Sequence, residues 1–255
     1  MGKTLALAGK GGTGKTTITG LIIDYLIKQK KGSILAVDAD ANANLNEVLG
    51  IEVETTLGEI KEEVNRRETM RDGFPGGMTK GQYLNYQLNA SISEGNGYDL
   101  LVMGRSEGKG CYCFVNTILR EQLDKVSEDY DYVIMDNEAG MEHLSRGTAR
   151  SIDILLLVSD CSRRGVQAVG RINKLVKELG LKVKEQYLII NKAPEGQLSE
   201  GIKEEIALQG LELLGVIALD PLVYDYDTQG IPSVKLPDDS LSKQAVKNIC
   251  QKIGL

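Results

Sequence analysis

Eight residues near the start of the chain, Gly9-Lys10-Gly11-Gly12-Thr13-Gly14-Lys15-Thr16, have the types and spacing needed to hold a row of phosphates. They fit the pattern G-x-x-x-x-G-K-[ST]. Glycines let backbone N–H groups close around phosphate oxygens, and a helix opening at the end of the loop adds partial positive charge. In that pattern Lys15 reaches the β- and γ-phosphates and the Thr16 hydroxyl ligates Mg²⁺. Gly11, Gly12, Thr13, Gly14 and Thr17 complete the expected cradle. The implied chemistry is binding and hydrolysis of ATP, with ADP as product.

Carboxylates follow at two other places. Val37-Asp38-Ala39-Asp40 closes one apolar run, and Asp136 closes another, at 132–135. A carboxylate at the end of a strand beside such a loop bonds Mg²⁺ through its water shell. Each alone could equally cap a helix, but their common placement beside the glycine-rich loop favours a site.

A third group is sulfur. Cys111-Tyr112-Cys113 precedes a helical pattern of Val115, Leu119, Leu123 and Val126, so the pair is expected near a helix N-terminus, which favours thiolate over thiol. Two sulfurs cannot fill a four-coordinate site. Two pairs brought together by a twofold axis would supply four, which suits Ni²⁺ or Zn²⁺. Cys161 and Cys250 stand in apolar surroundings and are expected in the core.

The elements that must position these groups are legible as short runs at 5–8, 34–37, 132–135, 154–158, 187–190 and 214–219, apolar throughout rather than alternating. Such strands belong to a mainly parallel sheet covered on both faces. Helical stripes lie between them: Ile18, Leu21, Ile22, Tyr25 and Leu26 after the first run, and Val166, Val169, Ile172, Leu175, Val176 and Leu179 after the fourth. Strand and helix in alternation predict a doubly wound α/β fold flanked by helices, with ligands at the carboxyl ends of the strands. The 255 residues are expected to form one domain. The stretch 71–96, dense in turn residues at Asp72-Gly73-Phe74-Pro75-Gly76-Gly77, reads as an insertion on the functional edge of the sheet.

The formal net charge of -6 argues against nucleic acid as the main partner. The apolar run ending at Ala8 is too brief for a signal-peptide core or a membrane span, so a cytoplasmic protein is expected. Four irregularly spaced cysteines do not make a disulfide framework.

Lys10 gives the loop its individuality. The form K-G-G-x-G-K-[ST] resembles the deviant Walker A ATPases of the MinD/ParA-like class, in which this lysine reaches the nucleotide of the partner subunit. The resemblance implies a homodimer that closes around nucleotide. It makes Val37-Asp38-Ala39-Asp40 the first switch, with Asp40 orienting the attacking water, and Asp136 to Gly140 the second, with the Gly140 N–H sensing the γ-phosphate. It also implies base recognition by Asn191, whose amide offers both a donor and an acceptor, with Pro221 of Asp220-Pro221-Leu222 on the other edge of the ring. Asp136-Asn137-Glu138-Ala139-Gly140 departs from the common Asp-x-Pro-x-Gly form at the third position.

Together with Cys-Tyr-Cys and Ala139-Gly140-Met141-Glu142-His143-Leu144-Ser145-Arg146, the chain resembles the CooC/AcsF-type ATPases. These assist nickel insertion into carbon monoxide dehydrogenase or acetyl-CoA synthase, which the resemblance makes the expected clients. His143, the single histidine, falls in the same segment, where a switch, metal or structural role is open. Two alternatives remain. An electron-transfer ATPase like the nitrogenase iron protein would use Cys111 for a cluster, but Leu144-Ser145-Arg146 stands where that family has its second cysteine. A MinD-like positioning ATPase would use the stripe Leu241, Ala245, Val246, Ile249 and Ile253 on a membrane. A core-closing helix has the same pattern, and the acidic balance argues against stable membrane association.

Overall fold

The computed structural model describes residues 2–40, 42–70, 72–105, 125–137 and 151–255. Its frame is one eight-stranded sheet in the order β3-β4-β2-β5-β1-β6-β7-β8. The strands are β1 (Lys3–Gly9), β2 (Ile34–Ala39), β3 (Ser93–Glu94), β4 (Asp99–Val102), β5 (Tyr132–Asn137), β6 (Ile152–Asp160), β7 (Val183–Ala193) and β8 (Leu213–Ala218). All described pairings are parallel except β3 with β4. This is the expected doubly wound, mainly parallel sheet. Leu219, expected in the last strand, lies just beyond it and is exposed.

Successive strand residues face opposite sides, and the chain uses this to build two cores. Leu5 and Leu7 face α1 (Lys15–Lys28), while Ala6 and Ala8 face the opposite layer. On the α1 side, Ile18, Leu21, Ile22 and Leu26 pack with α2 (Leu45–Leu49) and with α8 (Leu241–Lys252). On the other side lie α3 (Leu57–Met70), α4 (Lys80–Ala90), α5 (Arg163–Glu178) and α6 (Glu200–Leu208). A short helix α7 (Pro221–Thr228) follows β8. Each fully buried Leu or Ile contributes about 1.5–3 kcal/mol, and both layers hold many of them.

Three details bear on the expectations. The stretch 71–96 contains α4, whose Tyr83, Leu84 and Leu88 are buried in the second core, so much of it packs under the sheet. The stripe on α8 is also inside: Val246, Ile249 and Ile253 are buried, and Leu241 alone of its large apolar residues stays exposed. Cys250 is fully buried on α8, and burial pushes its thiol up to about 12, whereas Cys161 is only half-buried at the edge of the second core. Among the described residues no helix is long and apolar enough to cross a membrane.

Gly20 lets α1 and α2 approach closely. A Cβ there would lie 2.3 Å from Cγ1 of Val48, inside any real carbon–carbon contact.

Candidate functional site

The glycine-rich loop joins β1 to α1 at the carboxyl edge of the sheet. Gly14 caps the helix at φ 87°, a left-handed conformation that costs other residues about 1–2 kcal/mol. The Lys10 carbonyl ties the loop together, accepting from the Thr13 hydroxyl at 2.9 Å and from Lys15 Nζ at 3.3 Å. Lys15 is nearly buried, whereas Lys10 points its chain end into solvent. That contrast separates a lysine serving its own loop from one free to reach outward.

Two cavities meet at the loop. The larger, about 1000 Å³, is lined by Gly11, Gly12, Gly14, Lys15, Thr16 and Thr17 on one side and by Asp40, Asn42, Asn44 and Asn46 on the other. The smaller, about 300 Å³, lies between the start of α1 and β8–α7, with Asn191, Leu219, Asp220, Val223 and Tyr224 in its wall. Gly14, Thr17, Val48, Lys192, Asp227 and Ser233 line both, so the two cavities adjoin, the larger at the glycine-rich loop and the smaller at a more apolar end. Thr13 is buried behind the loop, its hydroxyl spent on Lys10.

The carboxylates divide the labour. Asp38 is wholly buried; its Oδ1 accepts from the Asp40 N–H at 3.0 Å and its Oδ2 from the Leu45 N–H at 2.9 Å. It organises the turn after β2 and lines neither cavity. Asp40 does line the larger cavity, with Oδ1 held by the Asn42 N–H at 2.8 Å.

Asp136 pairs in register with Asp38 on the neighbouring strand. Burial pushes it up to about 7, opposed by hydrogen bonds from the Thr16 and Thr19 hydroxyls and by the charge of Lys15, and reinforced by the charge of Asp38. Burial raises Asp38 as well, against its backbone donors. The Asp136 carboxylate with the Thr16 hydroxyl beside it offers hard oxygen donors of the kind that fit Mg²⁺.

At the apolar end, Asn191 Nδ2 donates to the Thr13 carbonyl at 2.8 Å, and its Oδ1 accepts from the Lys192 N–H at 2.9 Å. The amide expected to read adenine is thus braced on the loop, at the wall of the smaller cavity. Pro221 opens α7 and lines neither cavity; its neighbour Asp220 lines the smaller one and caps both α7 and the start of α8. Lys192 was not foreseen from sequence. It stands at φ 58°, and its Nζ donates to the Gly12 carbonyl at 2.8 Å. The signal available was its place beside Asn191 at a strand end. Cys111, Cys113, Gly140 and His143 lie outside the described residues. Among the described residues no group of three or more His, Cys, Asp or Glu side chains is placed to hold a metal ion.

A strand, a phosphate-cradling loop and a helix, set in a parallel sheet with carboxylates at the neighbouring strand ends, define a P-loop ATPase of the MinD/ParA-like fold. The chain belongs to the family described as AAA domain, whose model matches residues 2–189. It is 44% identical, over 98% of this chain and 97% of the other, to an uncharacterised ATP-binding protein of Methanocaldococcus jannaschii. A carbon monoxide dehydrogenase accessory protein, CooC of Rhodospirillum rubrum, is 29% identical over 85% of this chain and 89% of its own. Among solved structures, the septum site-determining protein MinD of Pyrococcus horikoshii, complexed with Mg-ADP, superposes with a TM-score of 0.71. That match has 22% identity and covers 99% of this chain and 96% of the other.

Proposed function

We propose that the chain is a dimeric ATPase that assists nickel insertion into carbon monoxide dehydrogenase or acetyl-CoA synthase in the cytoplasm. The observation that carries the reading is the coincidence of an exposed Lys10 beside a buried Lys15 on one loop with Cys111-Tyr112-Cys113 in the same chain. Likeness to a carbon monoxide dehydrogenase accessory protein over most of both chains supports the client class.

In this reading the loop N–H groups and Lys15 hold the phosphates of ATP, and the apolar hollow beside Asn191 takes the adenine. Asp40 orients the water that attacks the γ-phosphorus, the β,γ-bridging P–O bond breaks, and ADP and phosphate leave. Thr16 and Asp136 would hold Mg²⁺, which neutralises phosphate charge when bound. The exposed Lys10 reaches the nucleotide of a partner copy, where a trans cation is worth about 10³-fold or more in rate. The Gly140 N–H senses the γ-phosphate. Closure of the dimer brings two Cys111–Cys113 pairs together as four thiolates for Ni²⁺ or Zn²⁺.

The test is metal content and oligomeric state measured together, with and without ATP. One Zn²⁺ or Ni²⁺ per two chains is expected, lost in Cys111→Ser and Cys113→Ser while ATP hydrolysis stays measurable. Binding should weaken at acid pH, because the ligands are thiolates. One tight metal per chain in protein kept monomeric would rule out the shared site, and ATP-dependent dimerisation without metal would favour a positioning ATPase.

A further inference from the structure

Asp40 is not held at the cavity by its own strand, because β2 ends at Ala39. Its carboxylate takes its direction from the Asn42 N–H, which donates to Oδ1 at 2.8 Å. Asn42 is itself exposed, on a turn held by the Ala43 N–H donating to the Asp40 carbonyl at 3.1 Å and by the Asp38 carboxylate, which accepts from the Asp40 and Leu45 N–H groups. At the exposed Asn42 itself, side-chain direction depends on polar contacts.

One such contact comes from across the sheet edge. The guanidinium of Arg105, on the loop after β4, donates to Oδ1 of Asn42. The loop that carries Arg105 is firmly set: the Met103 N–H donates to the Asp38 carbonyl and the Gly58 N–H to the Met103 carbonyl, each at 2.8 Å. Between the two loops lies an open cleft of about 440 Å³, with Asn42, Thr56, Glu59 and Arg105 in its wall. The guanidinium therefore spans a gap that no packed side chain fills, and what fixes Asn42 against the frame is a charged hydrogen bond.

We propose that Arg105 is a positioning residue for hydrolysis: acting through Asn42, it sets the direction of the Asp40 carboxylate at the phosphate cavity. The inference rests on the reading of Asp40 as the group that orients water, and adds what holds that group in place. Arginine suits the task because its planar fork keeps its direction with less loss of freedom than a lysine ammonium. The exposed guanidinium lines the cleft and not the cavity at the loop, and reaches that cavity only through Asn42, which lines both. Its removal should change turnover and leave nucleotide affinity alone.

The test is steady-state ATPase kinetics on the full chain, with thermal melting alongside. Arg105→Met should lower kcat about tenfold, the loss expected when one charge-assisted hydrogen bond to a positioning group goes, with KM for ATP and Tm little changed. Arg105→Lys should recover part of kcat. Asn42→Ala should cost a similar factor, and the double variant no more than either single one, because both act along one chain of contacts. Additive losses, or an unchanged kcat in Arg105→Met while Asp40→Asn is inactive, would overturn the inference and leave the role of Asp40 standing. Near-normal turnover in Asp40→Asn would overturn both.

Discussion

Asp136→Asn is expected to stabilise the nucleotide-free protein at pH 8 by about 4 kcal/mol and at pH 5 by less than half of that. An unfolded aspartate titrates near 3.8, and burial holds the folded Asp136 at about 7. Between those values the folded chain keeps a proton that the unfolded chain has lost. Protonation therefore supports the fold in full only below about 3.8, and that support is lost progressively as the pH rises to 7. About three pKa units correspond to about 4 kcal/mol, a large share of the 5–15 kcal/mol typical of a folded chain. With 1% exposure there is little solvent to screen the charge. The amide of the variant cannot ionise, and its oxygen can still accept from the Thr19 hydroxyl, which lies 3.3 Å from Oδ1. Urea unfolding at pH 5, 6, 7 and 8, without nucleotide or Mg²⁺, should show the variant ahead by about 1–2 kcal/mol at pH 5 and by about 4 kcal/mol at pH 8. A wild-type stability that rises from pH 5 to 8, or a difference independent of pH, would refute the reasoning.

The other expectations concern the loop. Lys15→Ala should largely abolish ATP binding, whereas Lys10→Ala should keep much of it and lose hydrolysis and ATP-driven dimerisation; calorimetry and light scattering distinguish them, and equal loss of binding would make Lys10 a second cradle residue. Gly14→Ala would force φ 87° on a residue with a Cβ and bring that Cβ within 2.4 Å of Asn191 Nδ2. Backbone strain and the loss of the Asn191 bond to the Thr13 carbonyl together cost about 2–3 kcal/mol, so ATP affinity should fall about 30- to 160-fold, and an unchanged Kd would show that the brace is dispensable.

How far the sequence could be read depended on the range of the forces involved. The runs behind β1, β2, β5, β6 and β7 are apolar on both faces, a local signal that survives without knowledge of neighbours. β4 escaped because it has only four residues, Asp99–Val102, and β3 because it has two and pairs antiparallel at the edge. The helix α4 was hidden by its polar and tyrosine-rich composition, yet Thr79 and Gln82 form a capping box that marks its start. In the site, the loop from Gly9 to Thr16 was plain because its geometry is built from consecutive residues. The role of Asp38 in the turn was not legible, because spacing cannot show a carboxylate that also accepts from backbone N–H groups two and seven residues on. Lys192 and Arg105 were invisible for a different reason: their contacts join loops 180 and 63 residues apart, and only the order of strands brings those loops together.

The contact between Gly20 and Val48 constrains how this sequence can drift. α1 begins in the phosphate loop and α2 follows the turn that carries Asp40, so a wedge between them would move one half of the cavity against the other. Alanine at position 20 would favour the helix by about 1 kcal/mol, yet it would have to displace a valine whose methyl lies 2.3 Å from the new carbon. Among related chains, a larger residue at position 20 should therefore appear together with a smaller one at position 48. Exchange at either place alone should be rare, and the pair should behave in inheritance as a single character.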